Sequence, residues 1–179
     1  MLSLLAVVFL LFISPSWSLE TGPYPGQQAP DLLLPTLEGN RARLSDLYAK
    51  SSVWMTLYTT WCPECNTETP LLVATSKANP EIQFISISLM EDVSDVEAFR
   101  RKFQVSYPMM VDPEGAAVDA YKIRPIPVNI GIAKGGEIVF RRPTVTQEEI
   151  PGLIANLEAK GASFVPAATA GRWLSLIHI

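Results

Sequence analysis

The sequence predicts an α/β domain with a central mixed sheet flanked by helices, an N-terminal hairpin extension and a central inserted helix–strand. Three observations carry this reading. Val53 to Tyr58 (VWMTLY) and Ile82 to Leu89 (IQFISISL) are short runs of apolar and β-branched residues, as buried strands are. A helical stretch separates them, which makes a βαβ unit with parallel strands. Later, Val128 to Ala133 and Glu137 to Arg141 flank Lys134-Gly135-Gly136, an antiparallel hairpin signal, and a helix follows.

The elements follow in order. Leu19 to Pro30, rich in Gly, Pro and Gln, predicts an extended lead-in. Asp31 to Leu34 and Ala42 to Leu44 flank the turn Glu38-Gly39-Asn40 and predict the first hairpin. After the strand at Val53 the chain passes Trp61-Cys62-Pro63-Glu64-Cys65 into a helix reaching about Lys77, with Pro70 expected to kink it. Ser94 to Glu97 has capping-box spacing, and Val96, Phe99 and Phe103 share one helical face. Tyr107 to Val111 predicts the inserted strand, followed by the turn Asp112 to Gly115 and a short helix to about Tyr121. Ile150, Leu153, Ile154 and Leu157 have the spacing of a final amphipathic helix, whose start Pro151 blurs.

The ends read differently from the middle. Leu2 to Ile13 is an apolar run of signal-peptide length, too short for an ordinary membrane span, and Ser16-Trp17-Ser18 supplies small residues for cleavage after Ser18. No Lys or Arg precedes the run, so an uncleaved anchor through residues 2–13 is the alternative. The expected division is a signal peptide over 1–18, one domain over 19–163 and a flexible tail over 164–179. The last six residues of that tail, Leu174 to Ile179, resemble translated sequencing adapter.

The chain has 179 residues, 48% of them hydrophobic, enough for one full core, and a net charge of −4. No basic stripe is present, which argues against nucleic acid as a partner. There are two cysteines, spaced C-x-x-C, and one histidine, His178 in the tail. A zinc site needs further ligands that the chain does not supply, so no metal or other cofactor is expected. As an inert staple the pair would close almost no loop. Redox chemistry is the reading that remains strongest.

The physics of T-T-W-C-P-E-C supports it. The thiolate is the reactive species, and a free cysteine titrates too high to supply much of it. At a strand-to-helix junction, Cys62 meets the unpaired N–H groups and the positive end of the helix dipole. Pro63 suits such a first turn because its missing N–H is not needed there. Cys62 is then the nucleophile and is expected to be exposed. Cys65 is the resolving thiol and is expected to be buried.

With these pieces the chain resembles the TlpA/ResA-like thiol–disulfide oxidoreductases of the thioredoxin superfamily, related to AhpC/TSA proteins. The likeness runs from about Gly26 to Lys160. It rests on G-Q-Q-A-P-D-L-L-L and L-S-D-L, on W-C-P-E-C-N-T-E-T-P, and on Y-P-M-M-V-D-P-E-G with A-Y-K-I-R-P-I-P. The resemblance implies a thioredoxin fold. It implies a cis proline at Pro127, with Pro125 as competitor and an ordinary trans proline as the plain alternative. A cis bond there would bring the backbone of Ile126 to an incoming peptide. It also implies that Glu68 is an acid near the cysteines, able to move a proton to and from Cys65; otherwise it is a solvated helix glutamate. Trp61 packs beside the cysteines in that family, or serves as a core aromatic. With Pro63, Glu64 and Ile126 it forms the expected client-binding rim. Thr56 stands where many thioredoxins bury an acid, which shifts that work to Glu68.

Glu64 and Glu68 oppose the thiolate, and no cation is adjacent in sequence, so the couple is expected to be reducing. The resemblance implies disulfide-containing client proteins, with cytochrome c maturation among the processes served. It also implies a membrane electron donor and an exported location, most simply the bacterial periplasm. The chain is read as a monomer. A peroxidase of the same fold needs Pro-x-x-x-Thr-x-x-Cys; Thr59 fits, but Met55 stands at the proline position. A copper-binding chaperone of the same fold needs wider cysteine spacing and a histidine.

Overall fold

The computed structural model describes residues 19–163. The expected signal segment and tail, with His178, lie outside the described residues. A two-stranded antiparallel hairpin, β1 (Leu33–Pro35) and β2 (Arg41–Arg43), leads directly into a short helix, α1 (Leu44–Tyr48). That helix replaces the expected end of the second hairpin strand at Leu44, because Leu44 and Tyr48, four apart, both turn inward.

The main sheet has five strands in the order β5 (Met109–Asp112), β4 (Gln83–Leu89), β3 (Val53–Tyr58), β6 (Val128–Ile132), β7 (Ile138–Arg142). β3, β4 and β5 run parallel, and β6 and β7 are antiparallel. The mixed sheet expected from the sequence is therefore present.

β3 reads as an unbroken apolar run because both its faces are covered, and all six of its residues are buried. Alternation sorts the two faces. Met55, Leu57, Ile85 and Ile87 pack toward Leu34, Leu44, Tyr48 and Tyr121 on the hairpin side. Trp54 and Phe84 turn to the other face, where Ile150, Leu153, Ile154 and Leu157 of α5 (Ile150–Ala162) cover them. Gly131, paired with both Trp54 and Phe140, leaves room for the Phe140 ring, which meets Trp54 edge-on at 4.9 Å between centroids.

α2 (Pro63–Ala78) continues through Pro70, whose ring comes after the first turns. α3 (Val93–Phe103) is capped two residues before the Ser94 that begins the expected capping box. Asp92 is its N-cap, without a side-chain cap bond, so Ser94 and Glu97 lie inside the helix. α4 (Ala116–Ala120) follows the left-handed Gly115, and the carboxylate of Asp112 accepts from the amides of Ala116 and Ala117.

The lead-in guards one sheet edge: Gly26 donates to the Ile138 carbonyl, and Ile138 to that of Gln27. The hairpin guards the other edge, with Leu37 donating to the Met109 carbonyl and Thr36 bridging to Met110.

Candidate active site

β3 ends at Tyr58, and three residues carry the chain to Cys62, the N-cap of α2. Its extended backbone suits a cap, and its sulfur accepts the Cys65 amide at 3.2 Å. Pro63 fills the first helical position. Cys65 follows one turn on, and the two cysteines are joined as a disulfide with Cα atoms 5.2 Å apart.

Both cysteines are only 2% exposed, so the expected contrast between an exposed Cys62 and a buried Cys65 does not hold in the disulfide state. The reason is local. Cys65 covers one side of the Cys62 sulfur, Glu64 Oε2 stands 3.7 Å away, and the Ile126 carbonyl oxygen stands 3.9 Å away. The Ile126–Pro127 peptide is cis, and Pro125 precedes it in a trans bond. Ile126 thus lies between two prolines, and its carbonyl faces the disulfide. Trp61 is 72% exposed and lies outside the core clusters, so it is not the core aromatic weighed as its alternative.

The loop before Cys62 is held by residues the sequence reading did not single out. Both oxygens of Glu91 accept from the Thr60 amide, at 3.0 and 2.9 Å, and the hydroxyls of Thr60 and Ser88 donate to the same carboxylate. Asn66 Nδ2 donates to the carbonyls of Thr60 and Cys62, each at 2.8 Å, and Lys102 Nζ donates to Asn66 Oδ1 at 2.8 Å. The signals were faint. Glu91 follows the carboxyl end of a parallel strand beside β3, and Asn66 is one turn from Cys62.

Glu68 is not a solvated glutamate. It is 4% exposed, and Oε1 accepts from the Val145 amide at 2.7 Å and from Asn129 Nδ2 at 3.0 Å. Its Oε2 has no partner among the described residues. Burial pushes its carboxyl above the usual range, against the two bonds that lower it. No hydrogen bond joins it to either cysteine; it stands one helical turn beyond Cys65. Asn129, on β6, also accepts from Trp54 Nε1 at 3.0 Å and from Thr56 Oγ1 at 2.8 Å. Thr56, where no acid is available, is thus bonded to an amide of the neighbouring strand.

Beside this helix lies a cavity of about 300 Å³, lined by Pro63, Glu64, Thr67, Glu68, Leu71, Thr144 and Val145. Among the described residues no group of three or more His, Cys, Asp or Glu side chains is placed to hold a metal ion. No helix among them is long and apolar enough to cross a membrane.

The AhpC/TSA family model matches residues 25–141. The thiol-disulfide oxidoreductase ResA of Geobacillus kaustophilus is 28% identical over 153 residues, covering 84% of this chain and 87% of that protein. The soluble secreted antigen MPT53 of Mycobacterium tuberculosis is 30% identical over 125 residues, covering 68% and 72%. Among solved structures, a secreted Mycobacterium tuberculosis disulfide oxidoreductase homologous to E. coli DsbE superposes with a TM-score of 0.64. It is 24% identical and covers 69% of this chain and 94% of its own, a likeness that concerns the thioredoxin fold.

Proposed function

Since this chain belongs to the AhpC/TSA family and is a thiol–disulfide oxidoreductase acting on disulfide-containing clients, we propose that it works outside the cytoplasm as a reductase of those disulfides. The observation that carries the reading is Cys62 at the N-cap of α2, its sulfur taking the Cys65 amide, with Cys65 bonded to it one turn on. That arrangement is a two-electron couple with one sulfur poised for attack.

The Cys62 thiolate attacks one client sulfur, the client S–S bond breaks, and the first client thiolate leaves. Cys65 then loses its proton and attacks the Cys62 sulfur. The mixed disulfide breaks, the second client thiolate leaves, and the Cys62–Cys65 bond carries the oxidation. Glu68 takes the Cys65 proton, a role suited to a buried carboxyl with a free oxygen. Ile126 offers its backbone to the client beside the sulfur, Pro127 shapes that loop, and Trp61, Pro63 and Glu64 form the exposed rim.

The direction rests on charge. Glu64 faces the Cys62 sulfur at 3.7 Å and opposes the thiolate, which destabilises the reduced form and makes the couple more reducing. Among the described residues no Lys or Arg donates to either sulfur. Export is supported by the apolar segment over residues 1–18 and by the secreted relative. In the periplasm a membrane donor would re-reduce the pair, and haem-attachment cysteines of cytochrome c are a fitting client class. A monomer over 19–163 suffices for this chemistry.

The test is the reduction potential of the pair in the full chain, equilibrated in thiol buffers and read by alkylation and mass. A value near or below about −250 mV is expected, on the scale where thioredoxin lies at about −270 mV. A value near about −120 mV would make the protein a disulfide donor and overturn the reductase reading.

A further inference from the structure

A second feature borders the cis-proline loop at Pro125. Tyr24, Val118, Asp119, Lys122, Arg124 and Pro125, with the buried Ile123, line a groove of about 610 Å³. Its charge is unlike that of the chain, which carries −4 overall. Lys122 Nζ stands 5.9 Å from the centroid of the Tyr24 ring, and the Arg141 guanidinium carbon stands 5.8 Å from it. Arg141 spends its hydrogen bonds on neutral carbonyls, those of Pro23 and Lys122, at 3.3 and 3.4 Å. Among the described residues none of Lys122, Arg124 and Arg141 takes part in an ion pair. Two cations, Lys122 and Arg124, therefore line the groove with one acid, Asp119, and Arg141 adjoins it at the Tyr24 ring, none of the three held in an ion pair among the described residues.

Position gives the cluster its meaning. Arg124 is two residues from Ile126, at most about 7 Å of extended chain. The Ile126 carbonyl stands 3.9 Å from the Cys62 sulfur. A polypeptide bonded to that sulfur and lying along the loop reaches the groove within two or three residues. Tyr24 and Ile123 offer apolar contact there, and the cations await negative charge.

We infer that this groove docks an acidic stretch of the client polypeptide, two or three residues from the client's disulfide cysteine. The inference rests on the reductase reading and names the client class it prefers. Charges at such a rim act mainly on the rate of encounter and on its salt dependence.

The test uses the full chain, reduced beforehand, and three disulfide-linked peptides that are identical except near the cysteine. One carries aspartates two and three residues away, one lysines, one serines. Each rate is divided by that of the same peptide with dithiothreitol, which removes the peptide's own reactivity. At low salt the acidic peptide should exceed the basic one by about tenfold, and the ratio should shrink toward one as salt rises. In Lys122→Glu/Arg124→Glu the ratio should invert, while Arg124→Glu alone should fall between. The variants' reduction potentials report that the redox site is intact. Equal rates for all three peptides, or an acidic preference that survives the charge reversal, would overturn the inference. Failure to reduce any peptide would overturn the reductase reading, and this inference with it.

Discussion

Glu68 joins the proton transfer proposed for it to a stability cost of its burial. Its carboxyl is neutral more readily in the folded chain than in the unfolded one, because burial raises its pKa above the ordinary 4.5. Below that ordinary value both states are protonated and nothing is lost. As pH rises from there through the raised folded value, the unfolded state releases its proton first, and folding stability falls. Glu68→Gln keeps an acceptor for Val145 and Asn129 but cannot ionise. Urea titrations across pH should therefore show the variant gaining on the natural chain as pH rises. The same variant should slow release of a trapped mixed disulfide by about a hundredfold, the scale of a lost proton-transfer group. If its release rate and pH profile match those of the natural chain, Glu68 is only structural. The carboxyl's place near the motif was legible, since it lies three residues after Cys65. Its partners were not: Asn129 and Val145 are 61 and 77 residues away, and no local pattern announces them.

At the scale of the elements, legibility followed the range of the interaction. Strands β3 and β4 were readable because burial on both faces makes them short runs rich in apolar residues, broken in β4 only by small serines after Gln83, and α5 because its apolar spacing is that of a helix face. The start of α3 was not, because a favourable local spacing at Ser94 lost to a helix that begins at Val93. α1 was hidden because its few residues turn inward only against the sheet. Gly131 likewise looks like an ordinary weak point in a strand until Phe140 is seen lying over it. Gly131→Ala should push that ring off Trp54 and cost about 2 kcal/mol, as overpacking of a filled core does, read as a lowered urea midpoint. An unchanged midpoint would mean that the Phe140 ring swings aside freely.

The whole molecule keeps its sheet closed to outsiders. Residues of the lead-in pair with β7 at one edge, and the end of the first hairpin meets β5 at the other. Removing residues up to 40 should expose both edges and promote self-association, visible as concentration-dependent sedimentation. A truncated chain that sediments as the full chain does would show that other features blunt the edges. The capped edges also bear on how the enzyme lets go. A visitor cannot zip itself along a strand. Beside the sulfur it finds Ile126, set between Pro125 and Pro127, which lack N–H groups. Backbone pairing of a client beside the sulfur would thereby be held to a single rung. A main-chain grip that short would be indifferent to client sequence, leaving selection to side-chain contacts, and once the shared sulfur bond is broken the backbone would do little to delay departure.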